Sequence, residues 1–233
     1  MKILAIETAT EACSAALYLN GEITQRHEVA PRRHTELILP MVESLLAEAR
    51  CSLSALDALA FGRGPGAFTG VRIATGVVQG LALGANLPVV PVSTLAALAL
   101  EVFQQSSAGH ALVALDARMG EVYWGVYRRR GEPELVDEVT PESVIAPERV
   151  PLPEQSRVAA IASGPGWKAY GESLRRRVGT GLLDIWPERL PRAAQVARLA
   201  VAAFARDGGV SPEEAVPVYL RNQVANHPAA KPR

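Results

Sequence analysis

Two separate segments of this chain read as the same supersecondary unit, and that repetition constrains the fold more than any single motif. Residues 2–8 form an apolar strand that closes on Glu7, and residues 13–19 a second strand. Asn20-Gly21, a dipeptide suited to a tight hairpin, leads into a third strand over residues 22–29. The layout recurs later. Residues 111–116 form an apolar strand closing on Asp116, and residues 121–127 a strand rich in β-branched and aromatic side chains. Arg130-Gly131-Glu132 then turns into residues 135–139. Two three-strand meanders, each continuing into helical segments, predict a diverged internal duplication and an α/β protein of two related halves.

The expected architecture is that of two ribonuclease H-like domains, as in actin, Hsp70 and sugar kinases (the ASKHA fold). The polar stretch over residues 104–109 marks the boundary. It gives an N-terminal domain over 1–105 and a smaller C-terminal domain over 106–233, whose last helix and tail pack back on the first. A chain of 233 residues has ample core for this. Lys plus Arg and Asp plus Glu are 24 each, so no basic surplus marks a dedicated nucleic-acid binder. The arginine runs 128–130 and 175–177 read as solvated faces, with phosphate contact to RNA as the alternative. Cys13 and Cys51 offer neither a disulfide framework nor metal spacing and fit a reducing cytoplasm. The apolar run Ile3 to Ile6 is too short for a signal peptide. No charged residue lies between Arg72 and Glu101, but Asn86, Pro88, Pro91 and repeated glycines interrupt any membrane span there.

The least ordinary stretch is Gly62-Arg63-Gly64-Pro65-Gly66-Ala67-Phe68-Thr69-Gly70-Val71-Arg72-Ile73, a glycine turn between a short strand and a helix over residues 67–85. Its Gly62-x-Gly64-x-x-Ala67 pattern imitates a dinucleotide fingerprint, which needs an acidic residue about 20 positions on for the ribose. No Asp or Glu occurs between Asp57 and Glu101, and no Gly-Lys-Ser/Thr follows for a P-loop. In the helix, Gly76, Gly80 and Gly84 share one face. Each costs about 1 kcal/mol relative to Ala, so something must approach that backbone closely: the chain's own sheet, or a helix of a partner chain. A helix over residues 35–50 carries Leu37, Ile38, Leu39, Met41, Val42, Leu45, Leu46 and Ala49, more than one stripe. It is expected to be buried on two sides and kinked at Pro40.

These runs resemble the TsaB (YeaZ) family. Ile3-Leu-Ala-Ile-Glu-Thr-Ala-Thr10, Arg33-His-Thr-Glu-Leu-Ile-Leu-Pro40, the glycine turn, Asp116-Ala-Arg-Met-Gly-Glu-Val-Tyr123 and Pro217-Val-Tyr-Leu-Arg-Asn222 occur in the family's order over nearly the whole chain. The resemblance implies a non-catalytic subunit of the machinery that makes N6-threonylcarbamoyladenosine at position 37 of tRNAs reading ANN codons. It implies heterodimerisation with the catalytic paralogue TsaD, docking of the ATPase TsaE, and tRNA contact through the complex. A homodimer is expected when the chain is alone. The partner face is assigned to Leu37, Met41, Leu45, Val71, Arg72, Gly76, Gly80 and Gly84.

In this fold class ATP sits between the two meander turns, with a glycine turn holding the adenosine. The corresponding residues are Glu7, Thr8, Thr10, Asp116, Gly164 and Gly166. Glu7 is longer than the usual Asp, and Arg118 and Met119 are bulky where phosphate needs close backbone approach. The expectation is a degenerate cleft with no firmly bound cofactor, ATP or ADP being possible only there or at the shared interface. Where TsaD places two metal-binding histidines, the matching run here has Thr94 and Leu98. His27, His34, His110 and His227 lack ligand spacing, and His34 reads as a surface or interface residue. Neither cysteine has a neighbouring His motif and no Gly-x-Ser-x-Gly elbow occurs, which argues against a peptidase. An actin-like ATP-binding kinase or ATPase is the alternative from another class.

Overall fold

The computed structural model describes residues 1–130, 135–153 and 159–221. Two five-stranded sheets repeat one topology. In the first, β1 (Lys2–Glu7), β2 (Ala12–Leu19) and β3 (Glu22–Val29) form an antiparallel meander. The chain continues through α1 (His34–Glu48), β4 (Ala58–Gly62), α2 (Phe68–Ala85), β5 (Val89–Val92) and α3 (Thr94–Gln105). β4 joins β1 in parallel and β5 joins β4, giving the order β3-β2-β1-β4-β5. In the second sheet β6 (His110–Arg118), β7 (Glu121–Arg129) and β8 (Val136–Ile145) are the meander. After it come β9 (Ala160–Ser163), α4 (Pro165–Val178) and β10 (Leu182–Trp186), in the equivalent order β8-β7-β6-β9-β10. The duplication read from the meanders is therefore a repeat of strand order and direction.

Local chemistry explains the joints. Asn20 and Gly21 take φ of +49° and +106°, the two positive values a tight hairpin requires, and Leu19 pairs with Glu22. Gly131 and Glu132 of the turn expected after Arg130, and the tail from Asn222, fall outside the described residues. The last helix, α5 (Ala193–Asp207), stops at Gly208, whose φ is +76°. Beyond it, Ser211 and Glu214 form a capping box around a single 3-10 turn, Pro212–Glu214.

The connecting helices cross between the sheets. α5 packs Ala193, Val196, Ala197 and Ala200 against Ile3, Ala5, Ala58 and Ala60 of the first sheet. α3 packs Leu95, Leu98, Ala99 and Val102 against Ala111, Val113 and Leu115 of the second. α1 departs from the sequence expectation in two ways. It runs unbroken through Pro40, and it is buried on one side only, by His34, Ile38, Val42 and Leu45. Leu37, Met41 and Leu46 stay half-buried and Leu39 is exposed. α2 is long and apolar enough to cross a membrane by length and composition. Here it sends Val71, Ala74, Val78 and Ala82 inward.

The arginine runs are largely spent within the chain. Arg128 pairs with Asp137 at 3.0 Å, and Arg129 donates to the carbonyls of Ala108 and Ser106 beyond the end of α3. Arg176 pairs with Glu172 at 2.7 Å, and Arg177 donates to the Val150 carbonyl.

Candidate functional site

The turn that ends β1 is a packing hub. Glu7 is 1% exposed. Its Oε1 accepts from the Ala9 amide at 2.6 Å and its Oε2 from Thr94 Oγ1 at 2.9 Å. Burial outweighs these hydrogen bonds and raises its carboxyl to about pH 7. The folded chain therefore keeps a proton that the unfolded chain releases at its ordinary 4.5. The resulting stability is complete below pH 4.5 and is lost as pH rises to about 7. The loss is on the order of 3 kcal/mol at 1.36 kcal/mol per unit. In denaturant melts, the wild type should lose that stability relative to Glu7→Gln between pH 4.5 and 7.5. Parallel curves for the two proteins would contradict this account.

The glycine turn is moulded onto the same hub. Ala67 N–H donates to the Ala9 carbonyl at 2.8 Å, and Thr8 Oγ1 donates to the Gly70 carbonyl at 2.7 Å. A Cβ on Gly66 would stand 2.5 Å from the Ala9 oxygen. One on Gly70 would overlap the Thr8 carbonyl, and one on Gly62 the Glu7 carboxyl. The glycines permit backbone to lie on backbone, so the resemblance to a phosphate-binding fingerprint has a packing origin. Thr8 is likewise buried structure.

The second turn is closed in the same way. Asp116 Oδ1 accepts from the Arg118 amide at 2.7 Å, Oδ2 from Arg118 Nη1 at 2.9 Å, and Tyr170 OH lies 3.3 Å away. Arg118 and Met119 hold φ of +61° and +57°. Gly164 and Gly166 pack on β6, where an added Cβ at Gly166 would sit 2.7 Å from Ala114 Cβ. Neither lines the cleft, although Pro165 between them does.

Between the two turns lies a cleft of about 790 Å³. Thr10 and Asp116 line it, whereas Glu7 and Thr8 are buried and do not. Its mouth is built from Phe68 and Tyr219, 6.0 Å apart, with the Arg72 guanidinium 3.3 Å above the Phe68 ring and 5.3 Å from the Tyr219 ring. Lys168 and Arg221 complete the lining. Arg72 thus belongs to the cleft mouth. Tyr219 and Arg221 had no sequence signal linking them to the cleft, because they arrive on a segment more than a hundred residues after Arg72 and Arg118's own meander turn, respectively.

The proposed partner helices divide sharply. Leu45 and Val71 are core residues, 1% and 2% exposed, and cannot present side chains to a partner. Leu37 and Met41 are half-buried against the core. Gly76, Gly80 and Gly84 are exposed, and an added Cβ on any of them would meet nothing within 4 Å. Packing against the chain's own sheet is thereby excluded as the reason for these glycines. His34, expected at the surface, is buried with Nε2 2.8 Å from the Thr10 carbonyl.

A family described as "TsaD: tRNA N6-adenosine threonylcarbamoyltransferase" matches residues 22–180. The chain is 46% identical over 226 residues to the tRNA threonylcarbamoyladenosine biosynthesis protein TsaB of Escherichia coli, covering 97% of this chain and 96% of that one. It is 41% identical to the TsaB of Haemophilus influenzae, covering 96% and 95%. The chain belongs to the TsaB family. Its fold agrees with YeaZ from Pseudomonas aeruginosa, with a TM-score of 0.87, 46% identity, and coverage of 94% of this chain and 99% of that one. Another Pseudomonas aeruginosa structure, with a TM-score of 0.88, is described as similar to peptidase YEAZ.

Within this TsaB-family chain, Thr94 and Leu98 stand where the resemblance puts the TsaD histidines. Thr94 is bound to Glu7 and Leu98 is fully buried in the core. Among the described residues, no three of His, Cys, Asp and Glu converge as a metal site would require. Burial pushes the Cys13 thiol up to about 11, which keeps it protonated and a poor nucleophile. Cys51 lies against the core at the far end of α1, away from the cleft.

Proposed function

We propose that this chain is a non-catalytic subunit of the complex that forms N6-threonylcarbamoyladenosine at position 37 of tRNA, and that it pairs through α2 and the flank of α1 with a TsaD-type paralogue. The observation that carries this reading is the open face of Gly76, Gly80 and Gly84. From Ile73 to Ala85 the helix bears no charge. Its two polar side chains are already engaged, Thr75 with the Val71 carbonyl and Gln79 with that of Ala215. A backbone left bare in this way favours close approach by another helix. The same face serves a homodimer when the partner is absent. A TsaE-type ATPase docks on the assembled pair, and tRNA is reached through the complex in the cytoplasm.

The absence of a catalytic role in this reading rests on the two turns. Each spends the amide that would face a phosphate on its own carboxylate, Ala9 on Glu7 and Arg118 on Asp116. Firm binding of ATP or ADP in the cleft is not expected.

An omission test decides the matter: transfer of threonylcarbamoyl to tRNA by purified partners with ATP, threonine and bicarbonate. Modification should require this chain, and the chain with the donor synthase but without a TsaD-type partner should yield none. Equal modification in its absence would overturn the proposal. ATP affinity of the isolated chain, lost in Asp116→Ala, would favour the actin-like ATP-binding enzyme instead.

A further inference from the structure

The chain passes between its two sheets at residues 106–109 and again at residues 187–192. These crossings are tied together: Arg189 donates to Gln105 Oε1 at 2.8 Å, and Arg189 and Arg192 lie 3.4 and 3.8 Å from the buried carboxylate of Glu101. None of these residues borders the cleft.

The halves are also joined where Glu142 accepts from Ser93 and lies 3.8 Å from Arg63, and a further noncovalent bridge lies at the cleft itself. The segment over residues 215–221 is anchored on the first half at three points. The Ala215 carbonyl accepts from Gln79 Nε2 at 3.0 Å, Val218 N–H donates to the Arg63 carbonyl at 2.8 Å, and Tyr219 stands beside Phe68 and Arg72. On the second half, among the described residues, its hydrogen bonds and ion pair come from Arg221. Arg221, 17% exposed, pairs with Glu121 and lies 3.5 Å from both the Arg118 carbonyl and Met119 Sδ. Val218, Tyr219, Leu220 and Arg221 all line the cleft. The segment has no regular secondary structure; Ala215 is buried in the core of the first half, but Val216 and Tyr219 are 56% and 45% exposed, so apolar burial fixes its first residue more than the stretch that reaches the second half.

We infer that residues 215–221 are a latch, closed across the cleft by Arg221 and setting the spacing between the two halves. Two tied crossings away from the cleft act as the hinge, and the charge-assisted contact of Arg221 is the catch. Because the latch is seated along α2, a closed cleft and the α2 face belong to one conformational state.

Spin labels report the spacing directly, at Glu43→Cys on α1 and Glu172→Cys on α4, in a full-length Cys51→Ser background. The intact latch should give one narrow distance distribution. Arg221→Glu should shift it to longer distances and broaden it, and Glu121→Arg/Arg221→Glu, which restores the pair with its charges exchanged, should return it toward the narrow form. An unchanged distribution in Arg221→Glu would overturn the inference. So would a broadened one that the exchanged pair leaves broad, since that outcome marks general loosening and not release of a catch.

Discussion

Gly80→Leu should abolish pairing with the TsaD-type partner while leaving the chain folded and slightly more stable. An added Cβ at Gly80 meets nothing, and the position is exposed in the middle of an 18-residue helix. Replacing Gly with Leu there gains about 0.5–1 kcal/mol of helix propensity. The same side chain would hold a facing helix away from the backbone across the whole contact. At the centre of an interface, such a loss is worth about 3 kcal/mol or more, a hundredfold or more in affinity. Thermal melts and a binding isotherm on the same preparation give the two signs separately. A variant that binds as tightly as wild type would show that α2 presents a different face, whatever its melting point.

Gly70→Ala should have the opposite signature, a large loss of stability from a single methyl group. Its Cβ would overlap the Thr8 carbonyl oxygen, with the Thr8 carbon at 3.1 Å and the Ala9 Cα at 3.3 Å. All three are backbone atoms on the buried turn after β1. No side chain can swing away, and relief would break the bond from Thr8 Oγ1 to the Gly70 carbonyl. The expected cost is about 3 kcal/mol or more, lowering the melting temperature by roughly 10 °C for a chain of this size. A melt within about 1 °C of wild type would refute the close packing described between the glycine turn and Glu7–Thr10. The pair of experiments separates glycines that the fold needs from glycines that a partner needs.

Much of the architecture was legible because its signals are local or periodic. The two meanders and the hairpin at Asn20-Gly21 depend on residues within a few positions of one another. The motif runs that mark the TsaB family likewise lie in order along the chain. Period alone also grouped Gly76, Gly80 and Gly84 on one face.

Periodicity says which residues share a face but not what covers it, and that was decided by tertiary structure. It turned Leu45 and Val71 inward, buried His34 under the Thr10 carbonyl and left the three helix glycines bare. It also explained the loop glycines by the turn after β1, more than fifty residues earlier. Arg72 and Tyr219 became cleft neighbours only because α5 returns the chain to the first sheet and sends the following segment across the mouth. The sequence by itself determined the repeated unit, its turns and its family, since these are written in short-range chemistry. The covered and open faces depended on contacts between segments tens of residues apart, and the cleft between the halves on contacts across more than a hundred, which no local pattern encodes.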